Sequence, residues 1–176
     1  MGISASKRVK TALSNSQDFN SACDSTFTHC LSLTQHAFQG ILPYQLPTAA
    51  TYLHTTTLTT PAAAAPLILK WVPSPPNRTQ IDWALRMVTN KKPGAAQEEK
   101  GELILGHAKF REWALLLFTE AAVGNAGKAI LGRLPLGVAG ILGVGAVVKG
   151  GKEVVGAAIG VYALGVVTSV YLSLSG

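Results

Sequence analysis

VVGAAIGVYALGVVTSVYLSL, residues 154–174, is an uncharged run of 21 residues near the carboxy terminus, and its reading decides the class of the fold. Wound as an α-helix it measures about 31 Å, against a bilayer hydrocarbon core of about 30 Å. The run is long enough to cross a membrane. A second apolar run, residues 134–148, lies between Arg133 and Lys149. It reaches only about 22 Å as a helix, so alone it is too short to span. Lys149-Gly150-Gly151-Lys152-Glu153 reads as the turn between the two. Because cationic loops stay on the cytosolic side, these lysines favour one span over residues 154–174 and disfavour a hairpin that would carry them across.

From Gly124 onward lie 13 of the 18 glycines, and no Trp, His or Asp. Each interior glycine costs a water-exposed helix about 1 kcal/mol relative to alanine. Gly137, Gly140, Gly143, Gly145, Gly156, Gly160 and Gly165 would together weigh heavily on a helix in water. In hydrocarbon the backbone has no competing water partner, and small residues let helices approach closely. Gly156, Gly160 and Ala163 fall on one helical face and are the expected helix–helix packing positions.

Upstream, the chain reads as ordinary soluble sequence. From Val9 to Phe38 apolar residues recur at helical spacing, through Leu13, Phe19, Cys23, Phe27 and Cys30, and Gly40 and Pro43 stop the pattern. Residues 43–76 are rich in Pro, Thr and Ala and predict an extended connector, interrupted by a short apolar run at 67–72 that packs on the helices as a strand or laid segment. Thr79 with Asp82 resembles a capping box and opens a short helix through Ile81, Trp83, Ala84, Leu85 and Val88. Residues 95–106 form a charged connector. Phe110, Trp113, Ala114, Leu117, Phe118 and Ala121 then mark one face of a third helix.

The expected fold is therefore mainly α. Amphipathic helices and a Pro/Thr/Ala-rich connector precede a Gly-rich apolar helical third that associates with a membrane. The expected divisions are 1–40, 41–78, 79–123 and 124–176.

The amino terminus, Met1-Gly2-Ile3-Ser4-Ala5-Ser6-Lys7, fits the pattern for myristoylation of Gly2 after loss of Met1. One myristoyl chain binds membranes with only about 10⁴ M⁻¹, so a second signal is needed. Lys7, Arg8 and Lys10 supply it, as contacts to an anionic lipid surface worth roughly 1 kcal/mol each. The competing reading is a transit peptide for a mitochondrion or chloroplast, because residues before Asp18 are basic, serine-containing and free of acids. Acylation places the protein on the cytosolic face of a membrane, with the plasma membrane favoured.

The formal charge of +6 comes partly from separate basic spots, not from one stripe interleaved with aromatics, so nucleic acid is not the expected partner. Cys23 and Cys30 read as reduced core thiols, and Asn77-Arg78-Thr79 as a chance glycosylation match. His29, Cys30 and His36 lack metal-ligand spacing. Gly124-Asn125-Ala126-Gly127-Lys128-Ala129 lacks the spacing of a phosphate loop. No nucleophile motif is present, and His107 with Glu112 is a weak acid–base candidate beside the commoner solvated helix start. The expectation is a protein without catalytic residues or cofactor, working as a membrane adaptor or assembly subunit. A pore-forming or membrane-shaping homo-oligomer and an organelle-imported subunit of a membrane complex are the alternatives.

The opening MGISASKRVK and closing GAAIGVYALGVVTSVYLSLSG resemble small land-plant proteins that share an MG-x-S-x-S-K amino terminus. That resemblance implies neither an activity nor site residues.

Overall fold

The computed structural model describes residues 4–59, 65–89, 103–148 and 152–174. It is mainly helical, with seven α-helices among the described residues: α1 Ala5–Asn15, α2 Gln17–Leu33, α3 Leu46–Thr59, α4 Ala65–Trp71, α5 Arg78–Thr89, α6 His107–Val148 and α7 Lys152–Ser173. Two of them, α6 and α7, are long and apolar enough to cross a membrane.

The helical pattern over residues 9–38 is divided between α1 and α2. Ser16 adopts an extended backbone, accepts the Phe19 N–H at 3.3 Å and returns its own N–H to the Leu13 carbonyl at 3.2 Å. A serine that satisfies one end of each helix breaks the chain where the apolar rhythm skips from Leu13 to Phe19. Helix α2 ends at Leu33, before the expected stop at Gly40. Gln35 and His36 are left-handed there, with φ of 51° and 59°. His36 N–H bonds back to the Leu31 carbonyl at 2.9 Å.

The described part of residues 43–76, expected as an extended connector, is largely helical. After a 3-10 turn at Pro43–Gln45, α3 buries Leu46, Ala49, Ala50, Leu53, His54 and Thr57, which is a helical stripe. Its threonines turn their hydroxyls onto carbonyls one turn back, as Thr51 does to Pro47 at 3.1 Å and Thr57 to Leu53 at 2.9 Å. Satisfied in this way, they no longer compete for the backbone, and the helix forms despite the composition. The run at 67–72 is helical as well. Helix α4 and its next residue bury Leu67, Ile68, Trp71 and Val72. Helix α5 starts slightly earlier than expected, because Asn77 and Gln80 form the reciprocal cap: Gln80 N–H to Asn77 Oδ1 at 2.9 Å and Asn77 N–H to Gln80 Oε1 at 3.0 Å.

Helix α6 is the axis of the molecule. Its first half buries the expected stripe, Phe110, Trp113, Ala114, Leu117, Phe118 and Ala121, and continues it through Ala122 and Ala126. Helices α1, α2, α4 and α5 pack around that half, and α3 packs on α2, α4 and α5. Aromatic edges lock the centre, with Phe19 against Phe118 and Phe27 against Phe110, both at 5.7 Å between ring centroids. At the far end of this body an isolated antiparallel bridge joins Ile41 to Leu105 through two hydrogen bonds of 2.9 and 2.8 Å. Gly40 sits so close that an added Cβ would stand 2.5 Å from the Leu105 carbonyl oxygen.

The expected boundary near Gly124 does not exist. Helix α6 runs on through Gly124, Gly127 and Pro135 to Val148, and α7 packs beside this second half. The proposed turn at 149–151 lies outside the described residues.

Candidate membrane-associated hairpin

The second half of α6 and the whole of α7 form an antiparallel helical hairpin. Its register is fixed near mid-length, where Gly137 faces Tyr162. An added Cβ at Gly137 would run into the Tyr162 ring. The Tyr162 hydroxyl donates to the Arg133 carbonyl at 3.1 Å. Glycine is required here because a phenol ring lies against the opposing backbone.

At the base, Trp71 of α4 holds both arms. Its indole Nε1–H donates to the Ser173 carbonyl at 3.3 Å, and its own carbonyl accepts from the Asn125 side-chain amide at 2.8 Å. Trp71 is thus a buried core residue. Asn125, the polar residue inside a Gly- and Ala-rich stretch, makes sense as a clamp and not as part of a loop. Val170 and Leu174 are buried beside this clamp, so α7 returns to the helical body. The carboxy end of α7 thus packs on the same helical body as α4.

The arms differ from the body in what surrounds them. The apolar stretch of α6 is 39% buried because its first half is the core, whereas that of α7 is 6% buried. Leu131, Leu136, Val154, Val161, Leu164 and Leu172 all face outward. A helix apolar on every side belongs in a core or in lipid. Among the described residues of α7 and the one after it, Val170 and Leu174 are the buried apolar side chains.

Gly156 and Gly160 are exposed, with open space where a Cβ would be, and Ala163 is half-buried. Across α6 and α7, Gly137 lies against the Tyr162 ring. Lys7 is exposed on α1, while Arg8 and Lys10 are half-buried. The Arg8 guanidinium lies 4.4 Å above the Tyr171 ring, so it ties α1 to the hairpin base. Gly2 lies outside the described residues.

The other candidates serve packing. His29 stacks on Tyr52 at 4.1 Å between ring centroids, Cys30 is buried in the core, and His36 occupies the left-handed turn after α2. No group of three His, Cys, Asp or Glu residues able to hold a metal occurs among the described residues. His107 does not face Glu112. Its Nε2 meets Asp24 Oδ1 at 2.9 Å, and Arg111 reaches the same carboxylate with contacts of 3.1 and 3.2 Å, which links α2 to α6. His54 Nε2–H donates to the Val72 carbonyl at 2.7 Å and closes the end of α4. Both cysteines are free and buried. Burial pushes the Cys23 thiol up to about 12, Arg111 opposing and Asp24 assisting, and the Cys30 thiol up to about 11.

The local signals for the clamp were weak, because Trp71 reaches residues 54 and 102 positions away. Against known proteins, no family model, no curated protein and no solved structure matches this chain.

Proposed function

We propose that this chain is a non-enzymatic membrane adaptor or assembly subunit, whose helical body is carried on a bilayer by the α6–α7 hairpin. The observation that carries the reading is the exposure of α7, an apolar helix only 6% buried. In water its outward Val and Leu side chains would each forgo roughly 1.5–3 kcal/mol of burial, a total on the order of 10 kcal/mol for the hairpin. Hydrocarbon removes that cost and also tolerates the interior glycines. Acylation of Gly2 at the cytosolic face of the plasma membrane would add a second anchor on the body side, since Arg8 already holds α1 against Tyr171.

The test is alkaline carbonate washing of membranes that contain the full chain. The expected result is retention in the pellet. Release as a detergent-free, monodisperse monomer would overturn the reading. A second reading, an oligomeric membrane-shaping or pore-forming hairpin, draws on the open, exposed positions of Gly156 and Gly160.

A further inference from the structure

We infer that the hairpin base is a cationic collar for anionic phospholipid headgroups, in the leaflet that faces the helical body. This rests on the membrane reading above. Three cations from three helices lie around the clamp. Arg8 of α1 covers Tyr171, and the Lys70 ammonium of α4 lies 5.4 Å from the ring centre of Trp71, the residue that bonds Ser173. Lys128 is exposed on α6, three residues after the clamping Asn125, which is slightly less than one turn.

Charge and length agree on the occupant. No Asp or Glu lies between Glu120 and Glu153, and none follows Glu153. Beyond Lys128, α6 has 20 residues to Val148, and α7 has 20 from Lys152 to Tyr171. Each arm is therefore about 30 Å long, the thickness of the hydrocarbon layer. When the collar lies at one headgroup plane, the far ends of the two arms just reach the other. In sequence, Lys7, Arg8, Lys10, Lys70 and Lys128 outnumber the two lysines between the arms, so the positive excess stays on the body side and a hairpin is compatible with the charge rule. A second copy of the chain would bring the same cations to the same place, which leaves lipid phosphate as the complementary surface.

The experiment compares co-sedimentation of the full chain with vesicles of phosphatidylcholine alone and with about 30% phosphatidylserine, an anionic lipid. Lys70→Gln/Lys128→Gln is the variant, and both side chains are exposed, so its helical melt should match the parent. At roughly 1 kcal/mol per cation the parent should partition on the order of a hundredfold better onto anionic vesicles, and the variant should lose about thirtyfold of that preference. Binding to neutral vesicles should be equal for the two. Equal parent binding to both compositions, or an undiminished preference in the variant, overturns the collar while the membrane reading stands. A soluble dimer that pellets with neither composition assigns the apolar arms to a second copy and overturns both.

Discussion

Replacing Val161 by lysine separates water from hydrocarbon as the surroundings of α7. Val161 is 72% exposed, so lysine meets no steric obstacle. In water such a surface change stays within about 0.5 kcal/mol. In the hairpin as proposed, Val161 lies ten residues from Tyr171, about 15 Å above the collar and at the middle of the hydrocarbon layer. A lysine at the centre of a membrane helix costs about 2.5–3.5 kcal/mol on the insertion scale, close to a hundredfold in partition. Val154→Lys is the companion variant, since Val154 is 68% exposed but only two residues into α7, at the opposite headgroup region. Its cost should be a few tenths of a kcal/mol, because charge is tolerated near the interface. The assay is flotation of the full chain with neutral vesicles over a range of lipid concentration. Val161→Lys should shift the binding curve by about two orders of magnitude and Val154→Lys by less than threefold. Two curves that coincide with the parent would refute the insertion of α7, whatever the fractionation of the native protein.

The remaining expectations concern the body, the thiols and the glycine face. Gly40→Ala drives its Cβ toward the Leu105 main chain at 2.5–2.8 Å, so the bridge to Ile41 must open, and the body should lose about 2–3 kcal/mol; near-UV circular dichroism melts of the detergent-solubilised chain measure this, and an unchanged midpoint contradicts it. Because burial raises the folded thiols to about 12 and 11, their contribution to stability is complete below the unfolded thiol range near 8.5 and disappears as pH rises toward those values. Between pH 8 and pH 11 the parent should therefore lose unfolding midpoint faster than Cys23→Ala/Cys30→Ala, and parallel slopes would contradict this. Gly156→Leu and Gly160→Leu have open space within the chain, so an adaptor should keep its oligomeric state and membrane retention unchanged. Loss of a detergent-resistant oligomer on chemical cross-linking would transfer the argument to the pore-forming reading.

What could be read from the sequence was what depends on local period. Phe110, Trp113, Ala114, Leu117, Phe118 and Ala121 declare their face because large apolar residues recur every three or four positions, and all six are buried. The extent of α7 was equally plain from 21 uncharged residues. Helix α3 was hidden because its buried positions are filled partly by Ala, His and Thr, whose hydropathy carries little contrast. The back-bonding that reconciles threonine with a helix has no composition signal. The divided α1 and α2 left a trace in the six-residue gap from Leu13 to Phe19. The hairpin base left none, because Trp71, Asn125, Tyr171 and Ser173 meet only through tertiary packing. The burial of Leu174 against the body is a contact of the same kind, which the charge of residues 149–153 does not predict.

Since α6 is continuous from the body into the arm, it also sets the distance between them. His107 to Lys128 is 21 steps of one helix, about 32 Å along the axis. With Lys128 at the headgroups, the end of the body that carries His107, Asp24 and the Ile41–Leu105 bridge stands roughly that far from the bilayer if the axis is upright, and nearer in proportion to any tilt. A separate linker would let the body tumble. Here Trp71 bonds both arms, and Arg8 brings α1 against α7, so three contacts tie the hairpin to the body. An adaptor built as proposed would control, through the clamp at Trp71, the height and the aspect of the surface it presents, which a lipid chain on Gly2 alone would not do.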